Sequence, residues 1–150
     1  MSQAQAIAVL KEYLPAQTTM QVATAAHSQP WICTVHYVHD DQLRFYWLSL
    51  PDRRHSKEIA QNSNASVAVA LKTDMPVVGL QAAGIAGRVT EHAVIQTIMQ
   101  RYVQKFGSGK AFYDNFVAGE NQHELYCFTP RTMVLFDELH NLSRFEWQLE

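Results

Sequence analysis

The first apolar pattern along the chain is helical. In SQAQAIAVLKEYLP the residues Ile7, Leu10 and Leu14 fall on one face and Pro15 closes the run, so the spacing predicts a helix over about residues 2–14. From Thr18 the period shortens. TTMQVATAA, WICTVHYV and LRFYWLSL are rich in β-branched and aromatic residues and are separated by the turn-forming stretches His27-Ser28-Gln29-Pro30 and His39-Asp40-Asp41-Gln42. They read as a three-stranded antiparallel meander. In the third run Phe45 and Trp47 point one way while Tyr46 and Leu48 point the other, and with both faces apolar both are expected to be covered.

The later elements follow from the same two periods. Residues 56–62 read as a short helix, and ASVAVAL over residues 65–71 as a fully buried strand. VVGLQAAGIAGRVTE reads as a long, curved strand, with Gly79, Gly84 and Gly87 where it bends, bulges or is closely approached by another backbone. Over residues 91–106, Val94, Ile95, Ile98, Met99, Tyr102, Val103 and Phe106 recur at helical spacing, and Gly107 and Gly109 end the run. A second short helix is expected over residues 111–117. HELYCFTP and RTMVLFDEL then give two more strands, and SRFEWQLE an edge strand or an arm. The expectation is a single domain over residues 1–150, mainly β or α+β: an antiparallel barrel of six or seven strands with peripheral helices. The connections are too short for a doubly wound parallel sheet.

Composition narrows the function. Twelve Lys and Arg against fourteen Asp and Glu leave a net charge of −2, which offers no broad electrostatic capture of nucleic acid or of an anionic membrane. No apolar run approaches the length of a bilayer span, and the first residues lack a basic segment leading into one, so the expectation is a soluble cytoplasmic protein. Cys33 and Cys127, both in strand-like runs, fit free thiols better than a disulfide scaffold. His36 and His39 lie on opposite faces of one strand, which counts against a shared metal ion.

Against this background the basic run Arg53, Arg54, His55, Ser56 and Lys57 stands out, because it sits where a helix is expected to begin. Unpaired N–H groups and the positive end of the helix dipole favour an anion at such a point. Taken alone, the run supports an anion and nothing more specific. A solvated helix start, core roles for Tyr46 and Trp47, and a strand glutamine at Gln81 bonded to a neighbouring backbone group all stay open.

The text LSLPDRRHSKEIAQNSNASVAVAL, followed by GLQAAGIAGRV, resembles the FMN-binding split barrel of the pyridoxamine 5′-phosphate oxidase-related superfamily. The first stretch is similar to that superfamily's basic helix start closed by an Asn, with Ser63-Asn64 where Asn-Pro is usual; the second is similar to its Gln-x-x-Gly segment. The resemblance extends from about Gln21 to Phe136 and is closest to the short branch. It implies a homodimer with FMN in clefts at the interface. Arg54, His55 and Lys57, helped by Ser56, would hold the phosphate. Trp47, Leu48 and Ser49 would run along the flavin, Gln81 would reach the ring, and Thr34 with Val35 would lie under the ribityl or ring. The tail HNLSRFEWQLE lacks the Arg-x-His pattern expected for vitamin B6 oxidation. The resemblance therefore implies an FMN-dependent oxidoreductase of unknown substrate, with catalytic residues unassigned. The alternative is a non-catalytic barrel holding haem or another ligand, since the superfamily includes such proteins.

Overall fold

The computed structural model describes residues 1–140 and 142–150. Helix α1 (Gln3–Tyr13) opens with a capping box in which Ser2 and Gln5 satisfy each other's backbone N–H groups. A 3-10 turn (Leu14–Ala16) leads into β1 (Thr19–Ala26) and β2 (Gln29–His36). These strands form a hairpin whose turn is only His27 and Ser28, both at positive φ, the geometry that matches the twist of the flanking strands. Gln29 and Pro30 belong to β2, where an edge strand tolerates a proline.

The short β3 (Val38–His39) and β4 (Phe45–Ser49) follow, then α2 (Arg54–Gln61), β5 (Asn64–Lys72), β6 (Val78–Arg88), α3 (His92–Phe106), α4 (Gly109–Val117), β7 (Glu124–Asp137) and β8 (Leu142–Gln148). All pairings are antiparallel, in the order β2-β1-β5-β6-β7-β4-β3, with β8 also on β7. The barrel expectation holds, with corrections inside it. The third run of the expected meander leaves its neighbours: β4 pairs with β3 and β7 at the opposite end of the sheet from β2, and the Asp40 carboxylate accepts from the N–H groups of Gln42 and Arg44 in the turn that folds β4 back on β3. Strand β5 is buried on one face only. Its Ala65, Val67, Val69 and Leu71 point inward, while Ser66 and Ala70 are exposed. The two strands expected over residues 123–139 are the single strand β7, which passes through Pro130 because a bulge at that point relieves the ladder of a donor.

Strand β7 makes the curl possible. One edge pairs with β6 along its length, while the other takes β4 along Glu124–Phe128 and β8 along Thr132–Asp137. Phe45, Trp47, Val67, Leu80, Phe128, Met133 and Leu135 fill the inside of the curl, with Ala6, Leu10 and Leu14 closing it from the N-terminal end. The opposite face of β4, carrying Tyr46 and Leu48, is covered by Ile98, Met99 and Phe116 of α3 and α4. Both faces of β4 are thus covered, as its pattern requires. No helix among the described residues is long and apolar enough to cross a membrane.

Candidate functional site

The outer face of the sheet carries a cleft of about 450 Å³ where β2, β4 and the start of α2 meet. Strand β2 contributes Thr34, Val35 and His36, and β4 contributes Leu48 and Ser49. The turn into α2 supplies Leu50, Arg53 and His55. Tyr102 of α3 and Phe112 of α4 form the opposing wall, stacked on each other with centroids 6.1 Å apart and planes 19° apart, and His123 closes one end.

Helix α2 begins two residues earlier than its sequence suggests. Arg53 is the N-cap, in extended conformation, and no side chain caps the first turn. The positive helix end therefore has no side-chain acceptor of its own. Ser56, in that turn, is buried, and its Oγ has no hydrogen-bond partner among the described residues. His55 Nε2 lies 2.7 Å from the hydroxyl of buried Ser49, linking the end of β4 to the start of α2. Burial, and then the Arg53 cation, push the His55 imidazole below its ordinary value, so the ring is neutral near pH 7.

The ten residues expected to bind cofactor separate into groups. Thr34, Val35, Leu48, Ser49 and His55 come together in the cleft. Arg54 turns to the other side of α2, where its Nε donates to Glu58 Oε2 at 2.8 Å and its guanidinium sits 4.2 Å over the ring of Trp31. Glu58 also accepts the Thr24 hydroxyl at 2.8 Å, and the Arg54 hydrogen bond holds its carboxyl below the usual range. Arg54 thus clamps α2 onto β1 and β2. Lys57 borders the depression on that same side, beside His27 and Asp52. Ser56 is buried within the fold, and Trp47 lies inside the curl, stacked at 5.8 Å on Tyr126.

Gln81 is exposed on the outer face of β6. The register runs Thr34 to Gln21, Gln21 to Ala68 and Ala68 to Gln81, so three strand spacings separate Gln81 from the cleft. At about 4.8 Å per strand the gap is roughly 14 Å. Between them lies a second depression of about 380 Å³, apolar and floored by small residues including Ala23, Ser66 and Ala83, with Ile32 62% exposed at its rim.

Sequence reasoning missed Arg53 in this site, although the basic run contained it. Choosing between Arg53 and Arg54 depends on the residue at which the helix starts. Tyr102 was read only as part of an apolar helix face and Phe112 only as lying in a short helix, and no local pattern marks His123. Behind the wall, Lys105 Nζ lies buried 4.0 Å over the Tyr37 ring without a hydrogen-bond partner among the described residues, and burial lowers its amine to about 8. Both cysteines are free, and burial raises both thiols. Among the described residues no group of three or more His, Cys, Asp or Glu is arranged to hold a metal ion.

Solved structures share this architecture. A Clostridium acetobutylicum protein related to general stress protein 26 of Bacillus subtilis, of the pyridoxinephosphate oxidase family, superposes with a TM-score of 0.71 at 13% identity, covering 99% of this chain and 97% of its own. A FAD-binding protein from Mesorhizobium loti gives a TM-score of 0.62 at 14% identity, covering 89% and 92%. HutZ, the haem storage protein from Vibrio cholerae, gives 0.64 at 17% identity, covering 81% and 87%. No curated protein matches the chain in sequence. The sequence profile of pyridoxamine 5′-phosphate oxidase, however, matches residues 7–135, which takes in every strand except β8 and the last residues of β7, and the chain belongs to that family.

Proposed function

We propose that the cleft binds FMN and that the protein is an FMN-dependent oxidoreductase acting on a small molecule. The observation that carries this reading is the uncapped start of α2, opening with Arg53 and His55 into a cleft whose other walls are apolar and aromatic. Its volume of about 450 Å³ falls in the range of small-molecule sites, roughly 300–1,000 Å³. Arg53, His55 and the first-turn N–H groups would hold the phosphate, and Thr34 would lie toward the ribityl chain. Val35, Leu48 and the Tyr102–Phe112 wall would enclose the ring and keep water from it. The flavin supplies the electron transfer when bound; the chain supplies binding and orientation. Similarity to a FAD-binding protein supports the flavin class.

A homodimer completes this reading. The small-residue depression of β1, β5 and β6 is apolar and open, and it suits the close approach of a second copy. Since Gln81 lies roughly 14 Å from its own cleft by strand spacing, its contact with flavin would be made across that interface.

Two arginine variants test the site. Arg53→Ala is expected to weaken FMN binding roughly tenfold to a hundredfold, the scale of one charge-assisted hydrogen bond. Arg54→Ala is expected to leave FMN affinity near wild type while lowering the melting temperature, because it releases the clamp to Glu58 and Trp31. A purified protein whose visible spectrum and thermal stability ignore added FMN would sink the flavin reading.

Haem is the second reading, favoured by one observation: His36, His55 and His123 share the cleft with apolar walls. HutZ, of the same fold, is a haem storage protein. If this reading holds, a haemin titration gives a Soret shift that one of the three His→Ala replacements abolishes. A titration with no shift removes it.

A further inference from the structure

We propose that Ser49 is a positioning residue: by donating its hydroxyl hydrogen to His55 Nε2 it holds the imidazole as the Nδ1–H tautomer, so that a neutral ring still donates to a phosphomonoester oxygen in the cleft. The inference rests on the flavin-phosphate reading of this cleft and adds to it a means of recognition.

Satisfaction of hydrogen bonds carries the argument. Among the described residues the Ser49 hydroxyl has one partner, His55 Nε2 at 2.7 Å, and Ser49 itself is only 6% exposed. A serine hydroxyl carries one hydrogen and must place it, whereas an unfilled lone pair costs less. If Nε2 carried the proton, the hydroxyl would accept and its own hydrogen would have no acceptor among the described residues. If Nε2 is bare, the hydroxyl hydrogen is satisfied and the ring proton moves to Nδ1. No acceptor among the described residues takes that proton, and the half-buried ring leaves it to water or, when one is bound, to an oxygen of an anion in the cleft. The two side chains come from the end of β4 and the first turn of α2, so the pair also fixes the helix start against the sheet.

The arrangement matters because the ring is neutral. A histidine that binds phosphate only as a cation loses its hold as pH rises through its titration, and burial together with Arg53 brings that point down. A neutral Nδ1–H donor does not titrate away in this range. The other charged and titratable groups facing the ring are Arg53 and Glu58 of α2, with His36, Tyr102 and His123 around the cleft.

Comparing FMN with riboflavin isolates the phosphate. In wild type the preference for FMN is expected to change by less than about threefold between pH 7 and 9, above the second titration of the phosphate. In Ser49→Ala the neutral ring is free to take either tautomer, so the preference falls several-fold across this pH range, and Ser49→Thr restores it. Long-range proton–nitrogen NMR of the free protein should report His55 as the Nδ1–H tautomer in wild type and not in Ser49→Ala. A Ser49→Ala protein that loses FMN and riboflavin affinity equally, with a lowered melting temperature, would show a folding role only and overturn the assignment. An Nε2–H tautomer in wild type, or an alanine variant with the wild-type preference and profile, overturns the assignment. A wild type that binds neither flavin instead overturns the cleft reading on which it rests.

Discussion

Replacing Trp47 by Ala is expected to cost about 3–5 kcal/mol of folding stability, the range for emptying a large aromatic site in a core. In a chain of this size that lowers the melting temperature by roughly 10 °C or more. Trp47 has 0% exposure, sits at the centre of β4 and stacks on Tyr126 with planes 17° apart, so its removal leaves a void between strands that cannot close independently. Trp47→Phe separates packing from polarity. The indole Nε1 has no hydrogen-bond partner among the described residues, so phenylalanine removes an unpaired buried donor while keeping part of the stack. Its expected cost is smaller, on the order of 1–2 kcal/mol. Thermal and urea unfolding measure both. A Trp47→Ala protein with wild-type stability and weakened flavin binding would contradict this placement and favour the wall role that the sequence suggested.

That contrast marks how far the sequence could be read. The alternation at Phe45, Tyr46, Trp47 and Leu48 was enough to establish that β4 has two apolar faces, because side-chain direction in a strand depends only on position. It could not say which face looks into the curl, because that depends on strand pairing fixed far away in β7. The departure of β4 from the meander has the same origin: Asp40 sets the turn, but Leu125 and Phe128, about eighty residues later, supply the partner strand. Helix α3 was legible almost to the residue, since its periodicity and its left-handed Gly107 cap are local. Around the cleft, the basic run located the start of α2, yet a one-residue question of N-cap placement decides which of Arg53 and Arg54 lines it. Glu58 holds Arg54 on the other side of α2, a contact across one helical turn that the sequence permits without requiring. The Tyr102–Phe112 wall was out of reach for another reason. A helix stripe records which residues are apolar but not where the stripe outlasts the core and begins to line a cleft.

Glycine 84 should be the least replaceable backbone position in the sheet, and the loss on substitution is expected to exceed that of its neighbour Gly87 many times over. A Cβ built at Gly84 would lie 2.1 Å from the Thr129 carbonyl oxygen and 2.9 Å from Pro130 Cα, whereas one at Gly87 meets nothing within 4 Å. Both obstructing atoms are backbone, so no side-chain rotation relieves the clash. They belong to the bulge where Gly84 faces Pro130 while Ala83 already faces Thr132, leaving Arg131 as the extra residue on β7. The same bulge lies between the segments of β7 that pair with β4 and β8, so its geometry sets how the sheet curls. Gly84→Ala must push β6 and β7 apart at this point, and a cost of about 3 kcal/mol or more is expected, at or above the upper end for overpacking. Gly87→Ala is expected to stay within about 1 kcal/mol of wild type, since it adds no contact. Parallel melting curves for the two alanine variants decide the matter. Equal stability would mean that β6 and β7 do not approach each other closely at the bulge and that the curl is set elsewhere in the sheet.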